Sequence, residues 1–181
     1  MRPLLLSLLL CCSAFTQAAI QTREMPYTGP DGTQLIGYLA WDDAIAGARP
    51  GVVVVHEWWG LNDYAKRRAR DLAALGYSAL AIDMYGGGKN TQHPDDAKAF
   101  MSAAMASSEA AKARFNAGLE LLKAQQQTDP TRLAAIGYCF GGKVVLDMAR
   151  QGVPRAAVVS FHGALATARP ATPGSVKAKV L

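Results

Sequence analysis

Cysteine is scarce in this chain, with three residues in 181. Two of them, Cys11 and Cys12, fall in an N-terminal segment that reads as an export leader, which leaves Cys139 alone. A single thiol cannot form an internal disulfide, even in a compartment that permits one. There is no Cys-x-x-Cys pair, which argues against a thiol redox protein with an ordinary disulfide cycle. Histidine is equally sparse, and His56, His93 and His162 do not form a metal-ligand spacing. No metal or other cofactor is expected. Gly86-Gly87-Gly88-Lys89 lacks the leading glycine spacing and the Ser/Thr of a phosphate-binding loop. The net charge of +5 is modest and spread out. Lys66, Arg67, Arg68 and Arg70 share one stretch with Asp63 and Asp71, as on a solvated helix face, so no nucleic-acid partner is expected. Nor is there an apolar run long enough to cross a bilayer, and stable membrane insertion is not expected.

What is present begins with that leader. Arg2 supplies a positive start, Leu4 to Phe15 an apolar run, and Thr16-Gln17-Ala18-Ala19 small residues for cleavage. Residues 1–19 are therefore read as a signal peptide and residues 20–181 as one domain, exported to the periplasm or secreted. Half of the chain is apolar, enough to build a core.

Strand-like and helix-like stretches then alternate. Gln34 to Trp41 reads as a strand entered through Gly29-Pro30-Asp31-Gly32. Gly51 to His56 is a Val-rich run of the kind buried on both faces, and Ser78 to Ile82 is another. Asn62 caps a helix through Leu75, with Gly76 as its stop. Pro94, Asp95 and Asp96 open a long Ala-rich helical region to Gln125, with a break near Ser107-Ser108. A short apolar run from Leu133 to Ile136, a helix from about Gly141 to Arg150 and a strand from Ala156 to Phe161 follow. Val176 to Leu181 has the composition of the start of another buried strand. This order predicts an α/β fold: a mostly parallel sheet with helices on both faces. In such sheets chemistry gathers at the carboxyl ends of the strands.

Four segments fall at those ends: His56-Glu57-Trp58-Trp59-Gly60, Asp83-Met84-Tyr85-Gly86, Gly137-Tyr138-Cys139-Phe140-Gly141, and His162-Gly163. The third has the strand–turn–helix context of a nucleophile elbow, with cysteine in the place where serine is commoner. Cys139 would attack an electrophilic carbonyl as thiolate, at a helix N-terminus whose dipole favours negative charge. The plainer reading of a lone cysteine is a small buried apolar side chain. The N–H of Phe140, just after the nucleophile, is the expected first oxyanion donor, and the Trp58 N–H the second. Glu57 stands beside two tryptophans, where burial would favour its protonated form and let it exchange a proton with the thiol. A solvent-facing, salt-bridged Glu57 is the alternative. His162 ends the strand after the elbow but has no evident carboxylate to orient it, so it is read as shaping the pocket. His56 is expected to pack at a strand end and His93 to lie on the surface.

Together with Ser160-Phe161-His162-Gly163, these motifs resemble the dienelactone hydrolase family, in the family's order, from about Tyr27 to the last residue. The resemblance implies an α/β-hydrolase fold with Cys139 as nucleophile and Glu57 in contact with the thiol before substrate binds. It implies hydrolysis of a small ester or lactone through a thioester acyl-enzyme. Two departures follow. Members that hold a substrate carboxylate use an arginine shortly after the tyrosine of Asp-x-Tyr. Here Gly86, Gly87 and Gly88 follow Tyr85, and the nearest cation is Lys89, which a flexible glycine triplet would let reach the pocket. The family's triad Asp and His come after a strand like that begun at Val176, and neither is present in this sequence. The expectation is a truncated chain, with a sheet incomplete at its C-terminal edge and little turnover. A non-catalytic fragment that keeps the pocket and a reactive thiol is the rival reading. Composition does not fix the oligomeric state.

Overall fold

Residues 20–181 are described by the computed structural model, so the leader read over residues 1–19 lies outside the described residues. Seven strands form one sheet. In chain order they are β1 (Ile20–Thr28), β2 (Gln34–Asp42), β3 (Arg49–Val55), β4 (Ser78–Ile82), β5 (Thr128–Tyr138), β6 (Ala157–Phe161) and β7 (Lys179–Val180). Their spatial order is β1-β2-β4-β3-β5-β6-β7. The β1–β2 and β2–β4 pairs are antiparallel, and every pair from β4 across to β7 is parallel. The helices among the described residues are α1 (Asp63–Ala74), α2 (Pro94–Met105), α3 (Ser108–Lys123) and α4 (Phe140–Arg150).

The Val-rich run forms β3 because it is buried on both faces, and its residues divide by the two-residue period of a strand. Val54 packs with Ala65, Ala69 and Ala73 of α1 on one face. Val53 and Val55 pack with Phe115, Leu119 and Leu122 of α3 and with Val144, Val145 and Met148 of α4 on the other. Small alanines on α1 let that helix lie close to the sheet.

Helix ends follow the sequence signals. The Asn62 carboxamide accepts from the Ala65 N–H at 3.3 Å, and Gly76 takes φ +90° where the chain leaves α1. The break expected near Ser107-Ser108 is a true cap: Ser107 Oγ accepts from the Ala110 N–H at 3.2 Å and starts α3.

Three expectations change. Strand β1 was not foreseen: Gln21, Thr22, Arg23, Glu24 and Pro26 give it no apolar run, and it lies at the sheet's edge against β2. Strand β5 begins at Thr128 rather than Leu133, because Thr128 and Asp129 already pair with Arg49 and Pro50 before an irregularity absorbs Pro130 to Arg132. The stretch from Val176 gives only the two-residue β7, and its side chains are exposed rather than buried.

Candidate active site

The sheet brings three of the expected motifs to one level. Val55 of β3 pairs in register with Gly137 of β5, which pairs with Ser160 of β6. Just past the ends of these three strands stand Glu57, Cys139 and His162, in that order across the sheet. Cys139 therefore sits between Glu57 and His162, with neighbouring strands about 4.8 Å apart.

Cys139 has φ +53° and ψ −113°, a conformation that side chains other than glycine rarely adopt. The strain turns the side chain out at the strand end, and the flanking glycines make the turn possible. A Cβ on Gly137 would lie 2.1 Å from the Gly141 carbonyl oxygen, and one on Gly141 would lie 2.2 Å from the Val55 carbonyl oxygen. The Cys139 N–H donates to the Phe161 carbonyl at 2.9 Å, which extends the β5–β6 ladder by one rung into the elbow. The thiol itself is part-exposed.

Phe140 opens α4, and its N–H meets no acceptor among the described residues, as expected of a first-turn amide. The Trp58 N–H is likewise without an acceptor among them. The loop that carries it is stapled to its neighbour: Leu61 N–H donates to Lys89 O, Thr91 N–H to Trp59 O, and Gly60 comes so near Lys89 that a Cβ would sit 2.1 Å from its carbonyl oxygen. The Tyr85 hydroxyl donates to the Trp58 carbonyl at 3.0 Å. Both amides expected to serve an oxyanion are thus held by a fixed backbone.

Glu57 is part-buried, and its Oε1 lies 3.3 Å from His162 Nε2. His162 does have a carboxylate beside it, contrary to the sequence reading. His162 also takes a positive φ of +43°, and with Cys139 it is one of two non-glycine residues that do so among the described residues. Gly163 locks this conformation, since a Cβ there would fall 2.5 Å from the Gly142 carbonyl carbon.

His56 packs at a strand end, as expected. It is fully buried, its Nδ1 contacts the Glu57 carbonyl at 2.6 Å, and its Nε2 accepts from the Met84 N–H at 3.3 Å. An accepting Nε2 puts the proton on Nδ1, so the ring is neutral. Burial pulls its pKa below the ordinary histidine value, with partial opposition from the Glu57 carbonyl and the Asp83 charge. His93 is exposed at the N-terminus of α2.

A cavity of about 480 Å³ opens over the elbow, lined by Cys139, Phe140, His162, Lys143, Met101 and Met105. Tyr85 of the Asp-x-Tyr motif and Lys89, both expected at the substrate pocket, lie outside this lining. Tyr85 is buried behind the elbow against His56, Phe100 and Phe140. Burial raises its phenol pKa, and a charge on Cys139 adds to the shift. Lys89 is not among the lining residues, and its ammonium lies 5.9 Å from the Phe100 ring centre.

The glycine triplet is not loose, so Lys89 is kept out of the cavity lining. Buried Asp83 accepts from the N–H groups of Tyr85, Gly86 and Gly88 at 2.7 to 2.8 Å, and all three glycines take positive φ around it. An Asp just before a glycine-rich turn was the readable sign of such a nest of amides. The cation that does line the cavity is Lys143, four residues after Cys139 and so on the same helix face, with its ammonium 2.5 Å from Asp147. Asp147 also binds Arg150 at 2.9 Å, which accounts for that carboxylate. No group of His, Cys, Asp and Glu able to hold a metal ion occurs among the described residues.

The elbow, the sheet order and the glycine contacts can be set beside known proteins. Residues 35–181 match the model of the dienelactone hydrolase family. The chain belongs to the dienelactone hydrolase family. Over 123 residues it is 32% identical to a putative carboxymethylenebutenolidase of Aquifex aeolicus, a match covering 64% of this chain and 50% of that protein. The protein called m3DLH superposes with a TM-score of 0.82 at 42% identity, covering 90% of this chain and 67% of the other. A dienelactone hydrolase-like promiscuous phosphotriesterase from metagenomic libraries gives 0.81 at 39%, with the same coverage. The chain spans about half the length of the curated relatives it matches. Within this family the fold is α/β-hydrolase-like, as the mostly parallel sheet and its elbow require.

Proposed function

We propose that the protein is a thiol-dependent hydrolase of small esters or lactones. Cys139 attacks the carbonyl, the Phe140 and Trp58 amides receive the oxyanion, and a thioester acyl-enzyme forms. The observation that carries this reading is the strained elbow at Cys139, opening into a cavity beside a helix N-terminus. Family membership supports the reaction class, and a relative bearing the name carboxymethylenebutenolidase supports a lactone among the substrates. The cavity lining is mainly apolar, with Met101, Met105 and Phe140, so a compact substrate with an apolar acyl portion fits it. Glu57, just past the end of β3, exchanges a proton with the thiol in this reading. A leader of the kind read over residues 1–19 would deliver the enzyme outside the cytoplasm, where Cys139 is left as its one thiol.

The test is hydrolysis of an activated aryl ester, followed by release of the phenol and by intact mass. The chain should release about one equivalent rapidly as Cys139 is acylated. Cys139→Ala should show no acyl adduct and lose at least about a thousandfold in rate. Unchanged hydrolysis by Cys139→Ala would overturn the assignment of the nucleophile.

A further inference from the structure

We propose that His56 and Tyr85 are positioning residues that aim the Trp58 N–H at the carbonyl under attack. The inference rests on the reading of Cys139 as a nucleophile whose reaction passes through an oxyanion.

A trans peptide is planar, so its C=O and N–H point in opposite directions. The bond between Glu57 and Trp58 is trans. Whatever grips the Glu57 carbonyl therefore sets the direction of the Trp58 N–H. His56 grips it. The Nδ1–H donates to the Glu57 oxygen at 2.6 Å, and the Gly60 N–H takes that oxygen's other lone pair at 3.2 Å. The ring cannot turn away, because its Nε2 accepts from the Met84 N–H at 3.3 Å. The next peptide is held as well, since the Trp58 carbonyl accepts from the Tyr85 hydroxyl at 3.0 Å. Tyr85 is anchored in turn by its N–H, which donates to Asp83 at 2.8 Å. With the planes before and after it fixed, both backbone torsions of Trp58 are set. The carbonyls of Glu57, Trp58 and Trp59 all have donors, and the Trp58 N–H has no acceptor among the described residues.

Packing reinforces the grip. His56 and Tyr85 are buried and lie edge to face at 4.7 Å. Each also meets the buried Phe140 ring, at 5.7 Å from His56 and 5.5 Å from Tyr85. Phe140 carries the other expected oxyanion donor on its own backbone, so one aromatic cluster backs both amides. Buried polar groups keep their partners, because no water is there to replace them. The tyrosine of Asp-x-Tyr thus has a task that needs no contact with substrate.

In the acylation step the Cys139 sulfur bonds to the carbonyl carbon and the C=O π pair moves to oxygen. The Trp58 N–H donates to that oxygen. When the pair returns, the leaving oxygen departs with its bonding electrons and the thioester remains. His56 and Tyr85 exchange no proton in this sequence; they act through the backbone of Trp58.

The test compares two reactions of one thiol in the full chain: acylation by p-nitrophenyl acetate and alkylation by iodoacetamide, both followed by intact mass. Acylation develops an oxyanion, whereas alkylation is a displacement at saturated carbon and does not. Both need the thiolate, so the ratio of their rates is unmoved by a change in the thiol's own pKa. The variants are Tyr85→Phe, His56→Leu and His56→Asn. Tyr85→Phe deletes one hydroxyl and keeps the buried ring, so it carries the test even where loss of His56 costs the fold. The carboxamide nitrogen of asparagine takes the place of Nδ1 and keeps a donor for the Glu57 carbonyl. The acylation-to-alkylation ratio should fall about tenfold in Tyr85→Phe and about a hundredfold in His56→Leu, and His56→Asn should return to within about threefold of the wild type. An unchanged ratio in Tyr85→Phe would overturn the proposal, and so would acylation and alkylation falling together in every variant. Failure of the reading beneath it shows in the wild type itself, whose folded thiol would be alkylated yet never acylated, and it takes the proposal with it.

Discussion

The sheet has two unlike sides about the elbow. On one side β4 and β3 are buried on both faces, covered by α1 and α3, and their loops are clamped by Asp83 and by the Gly60–Lys89 contact. On the other side β6 and the short β7 are thinly covered, with Phe161, Leu165, Val176, Val180 and Leu181 all exposed. The site draws on both. Glu57, Trp58 and the elbow backbone come from the packed side, and His162 comes from the thin side. The difference teaches that the Trp58 and Phe140 amides are held by the core, whereas His162 sits on a thinly covered margin and is held there by local backbone contacts with the elbow.

Alanine at the two glycines that pin the elbow would test this contrast most severely. Gly141→Ala drives a Cβ to 2.2 Å from the backbone oxygen of central strand β3, which cannot yield. The expected cost is above about 4 kcal/mol, read as loss of cooperative urea unfolding. Gly163→Ala meets the Gly142 backbone at 2.5 Å, and because its own segment lies on the thin side, relief comes by releasing the lock on His162 rather than by moving α4. It should cost about 2 kcal/mol and leave a cooperative transition. Equal losses would break the comparison.

Acidification should act through the packed side. His56 is neutral in the folded chain and has its pKa lowered by burial, so below about 6.5 the unfolded chain binds the extra proton more readily. Stability is therefore complete above that pH and falls as pH drops through it. The Tm should decline by a few degrees between about pH 7 and about pH 5. His56→Gln should flatten that slope while lowering the Tm at neutral pH.

The smallest effect has the opposite sign and belongs to the thin side. Arg155, just before β6, is buried over the Phe115 ring at 4.6 Å, and none of its three guanidinium nitrogens finds a hydrogen-bond partner among the described residues. Burial lowers its pKa to about 10. Arg155→Met keeps most of the volume and removes an unpaired buried charge. A gain of about 1 kcal/mol in denaturant unfolding is expected. A loss of stability would show that the cation–ring contact outweighs its burial.

Much of the packed side was legible in the sequence, for a physical reason. Strands buried on both faces must be continuous apolar runs, so Gly51 to His56 and Ser78 to Ile82 announced themselves. The elbow was legible because its glycines are dictated by local backbone contacts. Strand β1 was not, since an edge strand with a polar face needs no apolar run. The Glu57–His162 approach was hidden for another reason. It arises only when β5 is placed between β3 and β6, and chain order does not state spatial order. Lys143 could have been found from its four-residue offset to Cys139 along α4, had the helix been started at Phe140 rather than Gly141. The place of Lys89 was not legible, because three glycines in a row suggest freedom and the buried Asp83 carboxylate upstream removes it.

The hydrogen bond from the Cys139 N–H to the Phe161 carbonyl makes Cys139 the last rung of the β5–β6 ladder. Warming frays a sheet from its exposed margin inward. The elbow geometry therefore has the heat tolerance of that margin rather than of the valine core. Loss of the proposed Cys139 acylation should set in while the helices and central strands are still intact, and cooling should restore acylation without refolding.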